Sequence, residues 1–303
     1  MSRQTALDNI WLRPADHWAH TEYSMGYHTA YMERRAGVPA SHPQHHIRAH
    51  EALQFDFHWS TDDGLTDWGR CGRVTDMGHA VYAADGSDRR EMRACPFANP
   101  EEVWAFDAVA EYGLPGVDEQ TAAYEASVAA SRRHSPGQLT TGGYYRTIVS
   151  GAIQAFGWEM LLVAAADARR MERVFDGFFR RTLFHMQAWA ATSVEVIIQH
   201  DDFVWTGGPF MHPDIYRRVI IPRYAELWRP LHAAGKKVLF CSDGDFTVFV
   251  EDLAAAGADG FIFEPVVDFA MMASRFGGSH CLVGSGVDCR DLTFRHRDQV
   301  RQA

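Results

Sequence analysis

The stretch "KKVLFCSDGD", residues 236–245, carries an apolar run into a cysteine, a serine and an aspartate, and three other segments end in the same manner with different side chains. "VEVIIQHDDFVW" delivers His200, Asp201 and Asp202, "GFIFEP" delivers Glu264, and "CLVGSGVDC" delivers Asp288 and Cys289. Imidazole, thiolate and carboxylate are the side chains that hold divalent metals. Cys241 and Glu264, with one of Asp243, Asp201 or His200, would offer zinc a mixture of S, O and N ligands with one position open for substrate. No HExxH and no paired-cysteine spacing accompanies them, because ligands drawn from separate strand ends have no fixed spacing. The same acids beside a histidine can raise one another's pKa toward neutrality, as general acid–base chemistry requires. Asp201, Asp202, Asp243 and Tyr144 are therefore the catalytic candidates. Asp201 and Asp202 are adjacent on an extended chain, so they face opposite ways and only one reaches a shared site. The plainer alternatives are that Asp243, ahead of Gly244, forms a turn, and that Cys241 is a small core residue.

These side chains need a scaffold that brings strand ends together. Short β-rich segments recur at 18–23, 53–58, 138–142, 194–199, 237–241, 260–264 and 281–285, separated by helical patterns at 100–111, 119–132, 146–166, 168–192, 213–234, 246–256 and 267–276. Alternation of this kind predicts βα units around a parallel sheet. Seven strands point to a (β/α)8 TIM barrel in one domain spanning 1–303, with a β-hairpin around Asp85-Gly86 inserted after the second strand, about 71–97. An eighth strand is not expected, since "RHRDQVRQA" starts a helix. In a barrel the active site gathers at the C-terminal strand ends, which adds His58, Tyr145, Arg146, Trp205 and Asp288 as substrate-binding candidates. Trp59, Trp68, Tyr144, Tyr145, Phe203 and Trp205 are candidate pocket walls.

The bulk numbers narrow the partners. A formal charge of −10 across 303 residues excludes the basic footprint of a nucleic-acid binder. No run approaches the roughly 18 apolar residues of a membrane span, and the N-terminal segment lacks a signal-like apolar region. Five cysteines without regular spacing form no disulfide framework, so a cytoplasmic location is expected and Cys71, Cys95 and Cys281 read as free thiols. Sixteen histidines is a high count, and "HPQHHIRAH", with His42, His45, His46 and His50 around Pro43, reads as a solvated entry to a helix.

The segment "GPFMHPDIYRRVIIPRYAELWRPLHAAGKKVLFCSDGDFTVFVEDLAAAGADGFIFEP", followed by "LVGSGVD", resembles the uroporphyrinogen decarboxylase superfamily; the likeness covers about residues 140–300, and the first half fits only a less characterised branch. The resemblance implies a (β/α)8 barrel. True decarboxylases carry an N-terminal arginine-rich segment of the "RQAGRY" type, and "RQTALDN" at residues 3–9 lacks the second arginine. Four acetate-bearing rings need several cationic partners, so the resemblance points instead to the corrinoid-dependent methyltransferase branch. That branch uses zinc held by a His-x-Cys pair after the fifth strand, where this chain has Cys241 and Asp243. The implied activity moves a methyl group from a small O- or N-methylated donor to a corrinoid (cobalamin) acceptor presented by a partner protein. Two alternatives stay open. A decarboxylase or lyase acting on a small carboxylated substrate would turn Arg146, Arg70 or Arg73 toward the mouth. A catalytically inactive barrel would serve as a binding subunit, and uncovered sheet edges would favour a homo-oligomer.

Overall fold

A computed structural model describes residues 1–22, 28–58, 60–61, 65, 67–77, 93–284, 288, 291 and 294–302. Ahead of the first strand stand α1 (Arg3–Ile10), α2 (Thr29–Ala36) and α3 (His45–Leu53), then β1 (Phe57–His58). Four helices follow: α4 (Trp68–Cys71), α5 (Pro100–Trp104), α6 (Ala108–Tyr112) and α7 (Val117–His134). Next come β2 (Leu139–Thr140), β3 (Gly142–Tyr144), α8 (Val149–Ala165), α9 (Ala168–Ala190) and β4 (Val196–His200). The chain continues through α10 (Pro213–Ile215), a π-helical turn (Tyr216–Ile220), α11 (Ile221–Ala233), β5 (Lys237–Ser242), α12 (Val250–Ala256), β6 (Gly260–Phe263), α13 (Phe269–Phe276), β7 (Cys281–Gly284) and α14 (Arg297–Val300).

The result is a mixed α/β fold whose strands β3 to β7 form one parallel sheet in chain order, while β1 pairs in parallel with β2. The third expected strand is thus divided at Thr141. Its first half pairs with β1, through Phe57 with Leu139, and its second half pairs with β4, through Gly143 with Ile198. Gly143 is required there, because a Cβ would lie 2.1 Å from the Ser60 carbonyl oxygen and 2.9 Å from that of Ile198. The strand expected at 18–23 does not form over the described residues 18–22. Contact with β1 runs instead through bonds gathered around Asp56: its backbone N–H donates to the His20 carbonyl at 2.7 Å, its buried carboxylate accepts from the backbone N–H of Ser2 and His20 at 2.7 and 3.0 Å, and the Thr21 hydroxyl donates to the Phe57 carbonyl at 2.8 Å. Eight closed strands are therefore not seen among the described residues. The core of the expected hairpin, 78–92, along with Trp59 and Cys289, lies outside them.

Strand alternation sorts the sheet into two faces. Ile197, Val238, Phe240 and Phe261 turn to the helices and join the large core there. Val196, Ile198, Leu239, Cys241, Ile262 and Cys281 turn the other way and form a second cluster with Phe57, Leu139 and, from α1, Ala6 and Ile10. The strands of both sheets thus share one apolar interior, with α1 packed into it. The helical stretch expected at 213–234 breaks as Pro222 requires. Proline has no N–H to donate, and the preceding turn widens so that the Ile221 N–H reaches the Tyr216 carbonyl. Its sequel, α11, brings Tyr224 against the end of β4. Among the described residues no helix is long and apolar enough to cross a membrane.

Candidate metal centre at the sheet mouth

The interior parity of each strand, continued one step past its C-terminal end, decides which acids meet. On β4 the interior residues are Ile198 and His200, which carries Asp202 to the same side; on β5, Leu239 and Cys241 carry Asp243 there. His200 Nε2 lies 2.9 Å from Asp202 Oδ1 and 4.0 Å from Asp243 Oδ1, and one ligand atom from each of the three falls within 4.8 Å of the others. A buried imidazole and two carboxylates that converge in this way could hold a metal ion. The Asp243 backbone N–H donates to Asp202 Oδ1 at 3.0 Å and the Tyr145 hydroxyl donates to Asp202 Oδ2 at 2.6 Å, so Asp202 is oriented from both sides. The Tyr145 ring lies 4.3 Å from that of His200. Glu264 accepts the Gly244 N–H at 3.0 Å. Gly244 occupies φ 82°, and a Cβ there would come within 2.4 Å of the Trp205 carbonyl, so the turn after Asp243 depends on glycine.

Charge in this group is unevenly held. Burial disfavours an imidazolium at His200, but Cys241 and the Asp202 carboxylate outweigh it and raise the pKa well above the ordinary value. Burial also opposes ionisation of Asp202, yet His200 holds it down to about 2. Asp243 is pushed up to about 7, by the enclosure of the concave mouth first and then by the negative charge of Asp202 and Glu264. Its side chain is nevertheless 66% exposed, so water screens part of that push. Burial raises the Cys241 thiol, against the opposing pull of the His200 imidazole beside it.

A cavity of about 350 Å³ opens directly on the group, lined by Asp202, Asp243 and Glu264 together with Tyr145, Trp158 and Trp205. Of the residues expected from sequence, the structure brings together His200, Asp202, Asp243, Glu264, Tyr145 and Trp205. Cys241 lies in register with His200, its thiol in hydrogen-bond contact with the imidazole and packed into the apolar interior, and it is not among the three converging ligands. Asp201 faces the helices. Its oxygens accept from the backbone N–H groups of Ile148, Val149 and Ser150 and from the Tyr224 hydroxyl, at 2.6–3.2 Å, and so it caps the start of α8, which has no capping side chain of its own.

Tyr144 also turns outward, where Arg181 donates to its hydroxyl at 2.5 Å and His185 stacks on its ring. Trp68 and Phe203 are buried in the helix-facing core and wall no part of the cavity. Arg146 lies over Trp68, 5.5 Å from its ring centre, Arg73 pairs with Glu111, and His58 joins His46 and His50. Asp288 is not among the converging ligands. Trp158 went unforeseen. It follows Gly157, whose φ of 68° redirects α8, and no helical periodicity carries across such a kink. The chain matches no known family model and no curated protein.

Proposed function

We propose that this chain is a metal-dependent methyltransferase built on an incomplete (β/α) barrel, moving a methyl group from a small O- or N-methylated donor to a corrinoid carried by a partner protein. The convergence of His200, Asp202 and Asp243 beside an aromatic-walled cavity carries the reading. One imidazole and two carboxylates suit zinc or another first-row divalent ion, and they replace the thiolate-containing set of Cys241, Glu264 and His200 that the sequence suggested. Such an ion, when bound, supplies Lewis acidity to the oxygen or nitrogen that leaves when its methyl group is taken. Tyr145 and the Asp243 N–H fix the Asp202 carboxylate, and a fixed ligand is worth more than a mobile one because no reorganisation is needed at the moment of reaction. Trp158, Trp205 and Tyr145 give an aromatic or methyl-bearing donor an apolar wall. The resemblance of 140–300 to corrinoid-linked methyltransferases supports the choice of acceptor.

The decarboxylase or lyase reading needs a cation to hold the substrate carboxylate. Among the described residues no arginine or lysine borders the cavity; Arg70 and Arg73 are turned to Asp67 and Glu111 instead. The test is methyl transfer to free reduced cobalamin from a panel of methyl ethers and methylamines, followed by absorbance, on metal-stripped and zinc-reconstituted protein. Methylcobalamin formed only after reconstitution, and lost in Asp202→Asn, is expected. Turnover that ignores the metal, or release of carbon dioxide from a carboxylated analogue without methyl transfer, would remove the reading.

A further inference from the structure

The segment "HPQHHIRAH" is not simply a solvated helix entry. In α3, His46 and His50 are one turn apart and share a face, with ring centres 3.8 Å from each other, and His58 of β1 closes on both at 6.0 Å. Imidazoles bound to one ion through nitrogens at about 2.0–2.1 Å place their ring centres roughly 5 Å apart, a value that these separations bracket.

His50 is held as a ligand would be. It is buried, and its Nδ1 lies 3.2 Å from Oε1 and 3.1 Å from Nε2 of Gln138. Gln138 Nε2 donates to the Phe55 carbonyl at 2.8 Å, which turns the amide oxygen to receive the His50 Nδ1 proton and leaves a lone pair on Nε2. A polar partner on the far nitrogen is the usual device for orienting a metal-binding histidine. His134, near enough to act on His46, likewise donates Nδ1–H to the Ala130 carbonyl at 2.8 Å, so its Nε2 also keeps a lone pair. Neutral rings are the form that binds metal.

We propose that His46, His50 and His58 form a second metal site, distinct from the sheet mouth, for a late first-row divalent ion of the Zn²⁺, Ni²⁺ or Cu²⁺ class bound through three imidazole nitrogens. An all-nitrogen set selects such ions over Mg²⁺ or Ca²⁺, which prefer oxygen. The three nitrogens are not within 4.8 Å of one another as the side chains now stand, and His46, which is exposed, makes the remaining movement. The bound ion ties α3 to β1.

The experiment uses the untagged full chain carrying Asp202→Asn and Asp243→Asn, so that the mouth keeps only His200 of its three converging ligands. Cu²⁺ is titrated with electron paramagnetic resonance as readout, and Zn²⁺ by competition with a chromophoric chelator. One saturable equivalent of Cu²⁺ with hyperfine coupling to several imidazole nitrogens is expected. Adding His46→Ala, at an exposed position where folding is preserved, should weaken Zn²⁺ binding by at least about tenfold, the lower end of what losing even an outer partner of a ligand costs. His58→Gln serves as the second variant, with circular dichroism to confirm that each is folded. Absence of a saturable equivalent, or an affinity that neither substitution changes in folded protein, overturns the proposal.

Discussion

On the helix-facing side of β3 and β4, the oxygens of Asp201, Tyr144, Tyr224 and Gln199 are met by partners within the protein; on the interior side, at the ends of β4, β5 and β6, His200, Asp202, Asp243 and Glu264 are gathered with too little positive charge between them. Asp201 receives backbone N–H groups and a tyrosine hydroxyl, Gln199 receives the Trp228 indole N–H at 2.6 Å, and Tyr144 receives a guanidinium. On the interior side one imidazole faces two carboxylates, with a third close enough to push on Asp243. A network that satisfies its own members stabilises the fold. One that leaves like charges beside an open cavity costs stability until a cation arrives, and that difference separates two aspartates joined by one peptide bond.

The largest test of this contrast is Asp201→Ala. It strips a partner from the Tyr224 hydroxyl and from three backbone N–H groups at the start of α8. Each buried donor left unsatisfied costs about 1–3 kcal/mol, so a loss above about 3 kcal/mol is expected from urea unfolding, against about 1 kcal/mol for Tyr224→Phe. Near-native stability with abolished turnover would reverse the roles assigned to Asp201 and Asp202. Asp243→Asn is expected to do the opposite. It relieves repulsion at an exposed side chain and leaves the unfolding midpoint in place, while removing one of three ligands and weakening Zn²⁺ binding by about tenfold to a hundredfold, as calorimetric titration would show. A fall in stability with unchanged affinity would break the comparison.

Strand periodicity carried most of this architecture into view from sequence alone, because segments such as 237–241 and 260–264 are continuous apolar runs whose two buried faces leave no other reading. Parity also predicted that Asp201 and Asp202 part company, but which one faces inward depends on the register of β4 against β5, a long-range fact. Tyr144 and Tyr145 pose the same question and were not told apart, since the phase of a three-residue strand cannot be read locally. The segment 18–22 was misread because a single backbone bond, from the Asp56 N–H to the His20 carbonyl, and side-chain bonds through Asp56 and Thr21 hold it, and an extended chain tied in this way has the same local pattern as a strand. Cys241 was promoted to a ligand by its chemistry, whereas it sits level with His200 in the apolar interior, two residues of rise below the Asp202 and Asp243 carboxylates.

The pH dependence of stability sharpens the contrast on its satisfied side. His185 is enclosed between Tyr124, whose hydroxyl lies 2.8 Å from Nδ1, and the ring of Tyr144, and burial followed by the Arg181 charge lowers its pKa well below the ordinary value. The unfolded chain therefore takes up a proton near pH 6.5 that the folded chain refuses. Stability from this group is fully present above that pH and is lost as the pH falls toward the lower folded value. One proton refused between pH 6.5 and 5 amounts to as much as about 2 kcal/mol. His185→Phe keeps the stacked ring and removes the proton, so its unfolding midpoint should fall less steeply over that interval than that of the unsubstituted chain. An unchanged slope would show that the acid sensitivity arises elsewhere.

The smallest expected effect decides most about the mouth itself. Cys241 packs with Leu239, Ile198 and Ile262, burial raises its thiol pKa, and its position in register with His200 sets it beside the imidazole but below the converging carboxylates. Cys241→Ala removes one sulfur from an apolar interior, at a cost of about 1 kcal/mol. The zinc content by elemental analysis should equal that of the unsubstituted chain, because the three converging side chains are intact. Should the metal instead disappear while the unfolding midpoint barely moves, the thiol is a ligand after all. The ion would then sit lower in the interior, between His200 and the thiol on the same side of the sheet, and Asp243 rather than Cys241 would be the dispensable side chain.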